Sequence, residues 1–96
     1  MYIISLTYKV DTETVDKYLN DHVEYLKEQY SLGNFLASGR KVPRTGGIIL
    51  SNINNLNTLE EVLKADPFNK NEIADYNITE FIPSMTCKDL NFLIAK

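Results

Sequence analysis

Hydrophobic and polar positions at the start of the chain predict a strand followed by a helix. Residues 2–10 are rich in β-branched and aromatic side chains without strict alternation, which is typical of a central strand covered on both faces. Residues 11–14 are capping residues that carry negative charge into a first helical turn. From Val15 to Tyr30, apolar side chains recur at three- and four-residue steps, and Gly33 is a suitable C-terminal stop. We therefore expect an amphipathic helix directly after the first strand.

The rest of the pattern predicts three further strands and a second helix. The strands are indicated at residues 34–40, 48–51 and 76–82. A turn-rich segment at 41–47 joins the first two of them. The helix lies before the last strand and can be capped by Asn57 or Thr58. It ends before Asp66, because a residue that precedes proline disfavours helical geometry, and residues 68–74 are expected to form a short helical turn.

This order of elements predicts an α+β fold. A strand, a helix, two strands, a helix and a strand form the ferredoxin-like, split βαβ (βαββαβ) arrangement, with both helices on one face of an antiparallel sheet. The other sheet face, with Tyr2, Ile4 and Leu6 or their neighbours, then needs a cover. A second copy of the chain is the simplest cover, so we expect a homodimer formed through the sheet face.

The length of the chain indicates a single domain. We expect it to span residues 1–96, because 96 residues leave no room for a second domain. Its core is expected at 1–83, followed by a C-terminal extension at 84–96. Apolar residues of this extension, such as Leu90 and Phe92, are unsuited to a solvated tail and should pack on the domain or on a partner subunit.

Composition and charge exclude several classes of function. The chain is 44% apolar and 24% charged, which is ordinary for a globular protein, and its formal net charge is -3. It lacks the basic face of a nucleic-acid binder, although Arg40, Lys41 and Arg44 can hold one small anion. No apolar run approaches the roughly 20 residues needed to cross a bilayer, and no signal peptide precedes the first strand. We therefore expect a cytoplasmic protein with no nucleic-acid or membrane partner.

The cysteine and histidine content argues against a metal site. Cys87 is the only cysteine, so no intrachain disulfide can form. His22 is the only histidine, and a Cys/His zinc site needs more ligands than these two residues provide. We expect neither a metal nor another cofactor.

Four short motifs follow one another along the chain. They are DHVEYL at 21–26 in the first helix, GNFLASGR at 33–40 on the second strand, GGIIL at 46–50 on the third strand, and DPF at 66–68 after the second helix. In this order and spacing they resemble the YciI-like (YCII-related) family, and the similarity runs from the first strand to about Pro83. The family's histidine falls on His22 and its acidic residue on Asp66.

The resemblance implies a ferredoxin-like subunit that dimerises through its sheet into an α/β barrel. It also implies a cleft in which His22 and Asp66 form a catalytic pair. One relative acts as a dehydrochlorinase on a chlorinated hydroxyquinol, so the family is not purely structural. Two features depart from the usual pattern: the tail after Pro83 is longer, and the segment 40–44 is more basic.

His22 lies on the apolar stripe of the first helix, between Leu19 and Leu26, and is therefore expected to point inward. An imidazole there can act as a general acid or base, or it can be a buried side chain satisfied by a backbone carbonyl. Asp66 also has two interpretations. Before a proline it is suited to cap a helix, and by the resemblance it orients His22 by accepting the ring proton. Both roles can hold at once.

Ser38 and Arg40 are two residues apart on the second strand, so their side chains share one face. If that face lines the cleft, Ser38 can donate a hydrogen bond to a substrate and Arg40 can hold a carboxylate or phenolate. Otherwise they form an ordinary strand end with an exposed arginine.

Two classes of function follow from these residues. The first is an enzyme in which His22, held by Asp66, moves a proton on a small anionic or phenolic molecule, in an elimination, an isomerisation or a hydrolysis. The alternative is a non-catalytic dimer that binds a small ligand or regulates through the same cleft. A haem-degrading dimer is less well supported, because the chain contains no tryptophan and its only histidine is assigned to the cleft.

Overall fold

The computed structural model describes residues 1–94 and has the predicted ferredoxin-like α+β architecture. In chain order, its elements are β1 (Tyr2–Tyr8), α1 (Thr12–Ser31), β2 (Phe35–Arg40), β3 (Gly46–Ser51), α2 (Leu56–Lys64), α3 (Pro67–Lys70), β4 (Ala74–Glu80) and a 3-10 helix (Lys88–Leu93). Strands and helices follow one another as the sequence pattern predicts, so the fold class is confirmed. The short helix α3 lies where the sequence predicts a helical turn.

The four strands form one antiparallel sheet in the order β2-β3-β1-β4. β1 is therefore an inner strand, paired with β3 on one side and with β4 on the other. Ile4 lies opposite Ile49 in the first pair and opposite Ile78 in the second, so three β-branched side chains form one row across the sheet. A register shift between Phe35 and Ala37 interrupts the pairing of the edge strand β2.

Side chains of β1 alternate between a face covered by the helices and an open face. Tyr2, Ile4 and Leu6 are buried under the helices, whereas Ile3 is half-buried and Thr7 is exposed on the open face. The expectation that this strand is covered on both faces is therefore wrong for a single chain. The sequence hides the alternation because Ile3 is as apolar as its buried neighbours. The face that needs a cover carries the neighbours of Tyr2, Ile4 and Leu6.

Helix α1 begins and ends with the caps that the sequence indicates. The Asp11 side chain accepts a hydrogen bond from the Thr14 N–H at 2.9 Å. After Leu32, Gly33 has a positive φ of 77°, a conformation that glycine adopts at little cost. The buried residues of α1 are Val15, His22, Tyr25 and Gln29. Helical periodicity therefore directs the only histidine of the chain toward the core.

The second helical region is divided at Asp66. α2 begins after Asn55, whose side chain accepts a hydrogen bond from the Thr58 N–H at 3.1 Å. The predicted caps Asn57 and Thr58 therefore lie inside the first turn, because Asn55 already satisfies a free amide there. Asp66 then caps α3, with Pro67 as its first residue, and α3 packs against α1.

The strands β3 and β4 begin at Gly46 and Ala74, each two residues earlier than the sequence pattern predicts. Glycine is normally depleted in strands, so the sequence pattern places residues 46–47 in the preceding turn. Position 46 requires glycine because the backbone of β1 approaches it closely. A Cβ there would lie 1.7 Å from the carbonyl oxygen of Leu6.

The tail beyond β4 packs only partly on the rest of the chain. The Phe81 N–H donates to the Met1 carbonyl at 2.9 Å, and Leu93 is half-buried and lines a depression that Ile53 also lines. Leu90 and Phe92 remain 45% and 59% exposed, so the expected packing of these two on their own domain is not observed. Residues 95 and 96 of the predicted extension lie outside the described part. Within residues 1–94, none of the helices has the length and apolar character that a membrane span requires.

Candidate active site

His22 occupies the middle of the buried face of α1, above the sheet. Only 9% of the residue is exposed, and what is exposed faces a cavity between α1 and the strands β2 and β3. The ring of Phe68 from α3 lies flat against the imidazole, with 3.9 Å between ring centroids and 1° between ring planes. One face of the imidazole is therefore closed, and its edge is directed at the cavity.

Asp66 lies at the division between α2 and α3 and is completely buried. Its Oδ1 accepts the Phe68 N–H at 3.0 Å, which caps α3 as the Asp-Pro sequence predicts. The same Oδ1 lies 2.7 Å from Nδ1 of His22. A single carboxylate thus serves as helix cap and contacts the imidazole, and the contact joins residues 44 positions apart in the sequence.

A tyrosine that the sequence did not single out completes the surroundings of Asp66. The Tyr76 hydroxyl, from β4, donates a hydrogen bond to Oδ2 of Asp66. Burial, together with the negative charge of Asp66, raises the pKa of Tyr76 far above its ordinary value of 10.0. The only signal in the sequence is the alternation of β4, which places Tyr76 and Ile78 on one face without identifying a partner.

Tyr25 is a second buried tyrosine near the carboxylate, but its hydroxyl is directed elsewhere. It donates to the Val62 carbonyl of α2 at 2.7 Å. Burial raises the pKa of Tyr25, and the charge of Asp66 adds to this effect. Tyr25 therefore ties α1 to α2, as expected for a core tyrosine, and makes no hydrogen bond to the His22–Asp66 pair.

The cavity beside His22 has a volume of about 160 Å³. Its walls are mainly apolar and include Leu6, Tyr8, Leu19, Val23, Leu26 and Ile49. Backbone of the glycine positions 39, 46 and 47 forms part of the floor. Such a site, largely apolar with few polar groups, is typical of pockets for small organic molecules.

Ser38 and Arg40 both line this cavity. Their common face is therefore the face toward α1, on the side of the sheet where His22 lies. The Ser38 hydroxyl is 2.5 Å from the Tyr30 hydroxyl of α1, and either hydroxyl can donate the hydrogen bond to the other. The structure brings Ser38 and Arg40 to the same cavity as His22, while Asp66 lies behind the imidazole.

The three basic residues of the segment 40–44 do not form one anion site. Arg44 binds Asp16 of α1 at 2.5 Å and lies over the Tyr8 ring, 6.0 Å from its centroid. The Lys41 ammonium donates to the Thr7 hydroxyl at 3.2 Å. The expectation of a joint site is therefore wrong, because Arg40 alone of the three lines the cavity.

Metal-ligating side chains are not clustered in the described part of the chain. Among residues 1–94, no group of three or more histidine, cysteine, aspartate or glutamate side chains could hold a metal ion.

A family model of the YCII-related domain matches residues 1–82. The chain belongs to the YCII-related family. The match covers all of β1 to β4 and ends before the 3-10 helix of the tail, so the predicted family resemblance is confirmed. No curated protein matches this YCII-related chain at a significant level.

The YCII-related fold is also found among solved structures. The chain is similar to 5-chloro-2-hydroxyhydroquinone dehydrochlorinase (TftG) from Burkholderia phenoliruptrix AC1100, solved in complex with 2,5-dihydroxybenzoquinone. The TM-score is 0.72 at 13% sequence identity, and the match covers 83% of this chain and 91% of the other. At this identity the likeness establishes a shared fold.

Proposed function

We propose that this YCII-related protein is an enzyme that moves a proton on a small organic molecule. In this proposal His22 is the general acid or base, and Asp66 orients it. The supporting observation is the buried 2.7 Å contact between Nδ1 of His22 and Oδ1 of Asp66, on an imidazole that lines a cavity. A carboxylate bound to one ring nitrogen orients the other nitrogen for proton transfer and stabilises the imidazolium that forms.

The size of the cavity supports a substrate with a single ring. Its volume is about 160 Å³. An engineered apolar cavity of roughly 150 Å³ binds benzene, so one six-membered ring suits the site. The ligand in the TftG structure, 2,5-dihydroxybenzoquinone, is a single-ring compound with acidic hydroxyl groups. We therefore infer a phenolic or hydroxyquinone-like substrate class.

Arg40 and Ser38 supply the polar contacts in this proposal. Within residues 1–94, Arg40 forms no ion pair, in contrast to Arg44, which is bound to Asp16. Its guanidinium is thus free to hold a phenolate or carboxylate at the cavity edge. Ser38 can donate its hydroxyl proton to the same molecule while accepting from Tyr30.

The proposal is tested with a panel of single-ring phenols, hydroxyquinones and chlorinated hydroxyquinols. Turnover is followed by absorbance and by chloride release, and binding is measured with 2,5-dihydroxybenzoquinone as the probe. We expect turnover of at least one compound by the wild-type protein. His22→Gln should lower that turnover by about 100-fold or more, while the Kd of the probe changes little.

Arg40→Gln serves as the matched variant on the other side of the cavity. It should weaken binding of the anionic probe and leave turnover at saturating substrate largely unchanged. Full turnover by His22→Gln would refute the catalytic proposal. If the probe binds but no compound is turned over, and His22→Gln alters only its affinity, the protein is instead a ligand-binding module.

We also propose that two copies of the chain pair through the open sheet face. On this face Ile3, Ile48 and Leu50 are half-buried, and a shallow depression lined by Ala37 and Gly39 adjoins them. Apolar side chains on a sheet face without a helical cover are suited to pack against their own copies about a two-fold axis.

Sedimentation velocity tests this pairing. The wild-type protein should sediment as a dimer, and Ile48→Asp should shift it toward a folded monomer, because a charge buried in the interface is not compensated. Asn57→Asp, at an exposed position of α2, is the control and should leave the dimer intact. A monomeric wild-type protein would exclude this role for the sheet face.

A further inference from the structure

Three polar groups converge on the Asp66 carboxylate. Oδ1 lies beside Nδ1 of His22 and the Phe68 N–H, and Oδ2 accepts from the Tyr76 hydroxyl. In the Phe68 and Tyr76 contacts, the backbone N–H and the hydroxyl are the donors and Asp66 is the acceptor. Both oxygens of this completely buried carboxylate therefore already accept a hydrogen bond from a group other than His22.

The charge state of Asp66 determines which nitrogen of His22 carries the proton. An ionised carboxylate only accepts hydrogen bonds, so Nδ1 must be the donor in the 2.7 Å contact. The neutral imidazole then carries its lone pair on Nε2. Among residues 1–94, Nε2 of His22 has no hydrogen-bond partner. It is also not among the fully buried atoms that lack a partner, so it is not fully buried. Nε2 is therefore reached through the cavity that His22 lines.

We propose that Tyr76 is a positioning residue of this site: by donating to Oδ2, it holds the Asp66 carboxylate in the orientation that contacts Nδ1, and so keeps the Nε2 lone pair of His22 directed into the cavity. Tyr76 acts through Asp66 and has no contact with the imidazole in the hydrogen-bond pattern. Its catalytic relevance rests on the proposed function of His22, but the tautomer it maintains does not. His22 accordingly begins a reaction as a base.

The environment of Tyr76 keeps it in the donor form. Its pKa lies far above the ordinary value because the side chain is buried beside a negative charge, so the hydroxyl retains its proton throughout the neutral range. A phenol that keeps its proton next to a carboxylate can only donate. In this hydrogen bond the Tyr76 hydroxyl of β4 is therefore always the donor, and Asp66, between α2 and α3, is always the acceptor.

Tyr25 is the control that the chain itself offers. It is also a buried tyrosine whose pKa is raised by burial and by the charge of Asp66. Its hydroxyl, however, donates to the Val62 carbonyl and not to the carboxylate. Replacing each tyrosine by phenylalanine removes one buried hydroxyl, and only one of the two replacements removes a donor from Asp66.

Nitrogen NMR of the ring tests the proposal without a substrate. His22 is the only histidine, so in protein labelled with ¹⁵N-histidine both ring nitrogens are assigned without ambiguity. At pH 7 the wild-type protein should carry its ring proton on Nδ1. In Tyr76→Phe, Oδ2 loses its donor and the carboxylate is no longer held against Nδ1, so the ring can place its proton on Nε2 instead. The population with Nε2 protonated should rise about tenfold, the change expected for the loss of one hydrogen bond to a charged group.

Tyr25→Phe should leave that population unchanged, and amide spectra establish that both variants are folded. An unchanged Nε2 population in folded Tyr76→Phe would overturn the proposal, as would an equal rise in Tyr25→Phe. A wild-type protein with its ring proton on Nε2 would overturn it as well, and this measurement remains decisive if Tyr76→Phe does not fold.

The outcome separates the two proposals. If Tyr76→Phe leaves the ring nitrogens as in the wild type but His22→Gln abolishes turnover, the role of Tyr76 is wrong and the enzyme proposal stands. If the tautomer responds as expected but no compound of the panel is turned over, the positioning role stands and the catalytic proposal does not.

Discussion

The two βαβ halves of the fold supply the paired side chains in different ways. In the first half, β1-α1-β2, one helix of 20 residues runs unbroken from Thr12 to Ser31 and delivers His22 from the middle of its buried face. In the second half, β3-α2-α3-β4, the corresponding helix is broken after nine residues, and Asp66 stands at the break. Periodicity thus places the imidazole, whereas interruption of a helix places the carboxylate.

This difference shows why one residue of the pair does several tasks and the other does not. The backbone amide of a residue inside a helix is satisfied by the helix, so only the ring of His22 needs a hydrogen-bond partner. A residue at a helix start faces free amides, and Asp66 satisfies that of Phe68 while also contacting His22 and Tyr76. The second half should therefore be the more sensitive to single substitutions.

The largest effect is expected for Asp66→Ala. It leaves the Phe68 N–H, the Tyr76 hydroxyl and the His22 ring without their acceptor in a buried place, and should lower the free energy of unfolding by about 3–5 kcal/mol. Urea denaturation measures the loss. Asn55→Ala, which removes the cap of α2, is the control and should cost only about 1 kcal/mol. Equal losses in the two variants would mean that Asp66 is no more than a cap.

Gly46→Ala should have the next largest effect. Its Cβ would lie 1.7 Å from the Leu6 carbonyl oxygen, so β1 and β3 must move apart, at a cost of about 1–3 kcal/mol. The first half offers a matched glycine on β2, because Gly39 has no atom within 4 Å of a Cβ built there. Thermal denaturation of Gly39→Ala should stay close to the wild type, and a larger loss there than at Gly46 would contradict the close approach of β1 and β3.

Alkaline pH should also test the contact between Tyr76 and Asp66 in the second half. Because the pKa of Tyr76 is raised in the folded state, its contribution to stability is complete below pH 10 and is lost as the pH rises from the unfolded value toward the folded one. Urea titrations above pH 10 should show a loss of stability that is less steep in Tyr76→Phe, by about 1.4 kcal/mol per pH unit for the one proton retained. Parallel slopes in the two proteins would show that Tyr76 titrates as in the unfolded chain.

The smallest effect is expected at the Arg44–Asp16 ion pair of the first half. Both side chains are partly exposed, so the 2.5 Å contact should contribute little to stability and less in high salt. Arg44→Gln should therefore shift the urea midpoint slightly at low ionic strength and not at 1 M salt. A large shift that persists at high salt would indicate that the segment 41–45 depends on this contact.

The sequence predicts most of the architecture because its signals are local. The order of elements, the Asp11 cap and the Gly33 stop all depend on residues that are neighbours in the chain. The errors have equally local causes. Asn55 lies within a polar run that gives no signal of a cap, and Gly46 favours a turn in the sequence pattern because glycine is atypical of strands.

The site could be predicted only in part, because its contacts are distant in sequence. His22 is identified by periodicity and Asp66 by the resemblance, but Tyr76 carries no local signal of its partner. The same holds for Arg44, since nothing near it in the sequence indicates Asp16, 28 residues away. Side-chain partners across the sheet emerge only when the fold sets the register of the strands. The catalytic and binding roles of these residues remain predictions.

The parallel stack of His22 on Phe68 restricts how a bound molecule can exchange a proton. With 3.9 Å between the rings and Nδ1 bound to Asp66, the imidazole ring cannot rotate within the site. In the proposed enzyme, any proton that Nε2 removes must be returned from the same edge of the ring. An isomerisation catalysed here would therefore be suprafacial, and part of the label at the migrating position would be carried from one carbon to the other without exchanging with water.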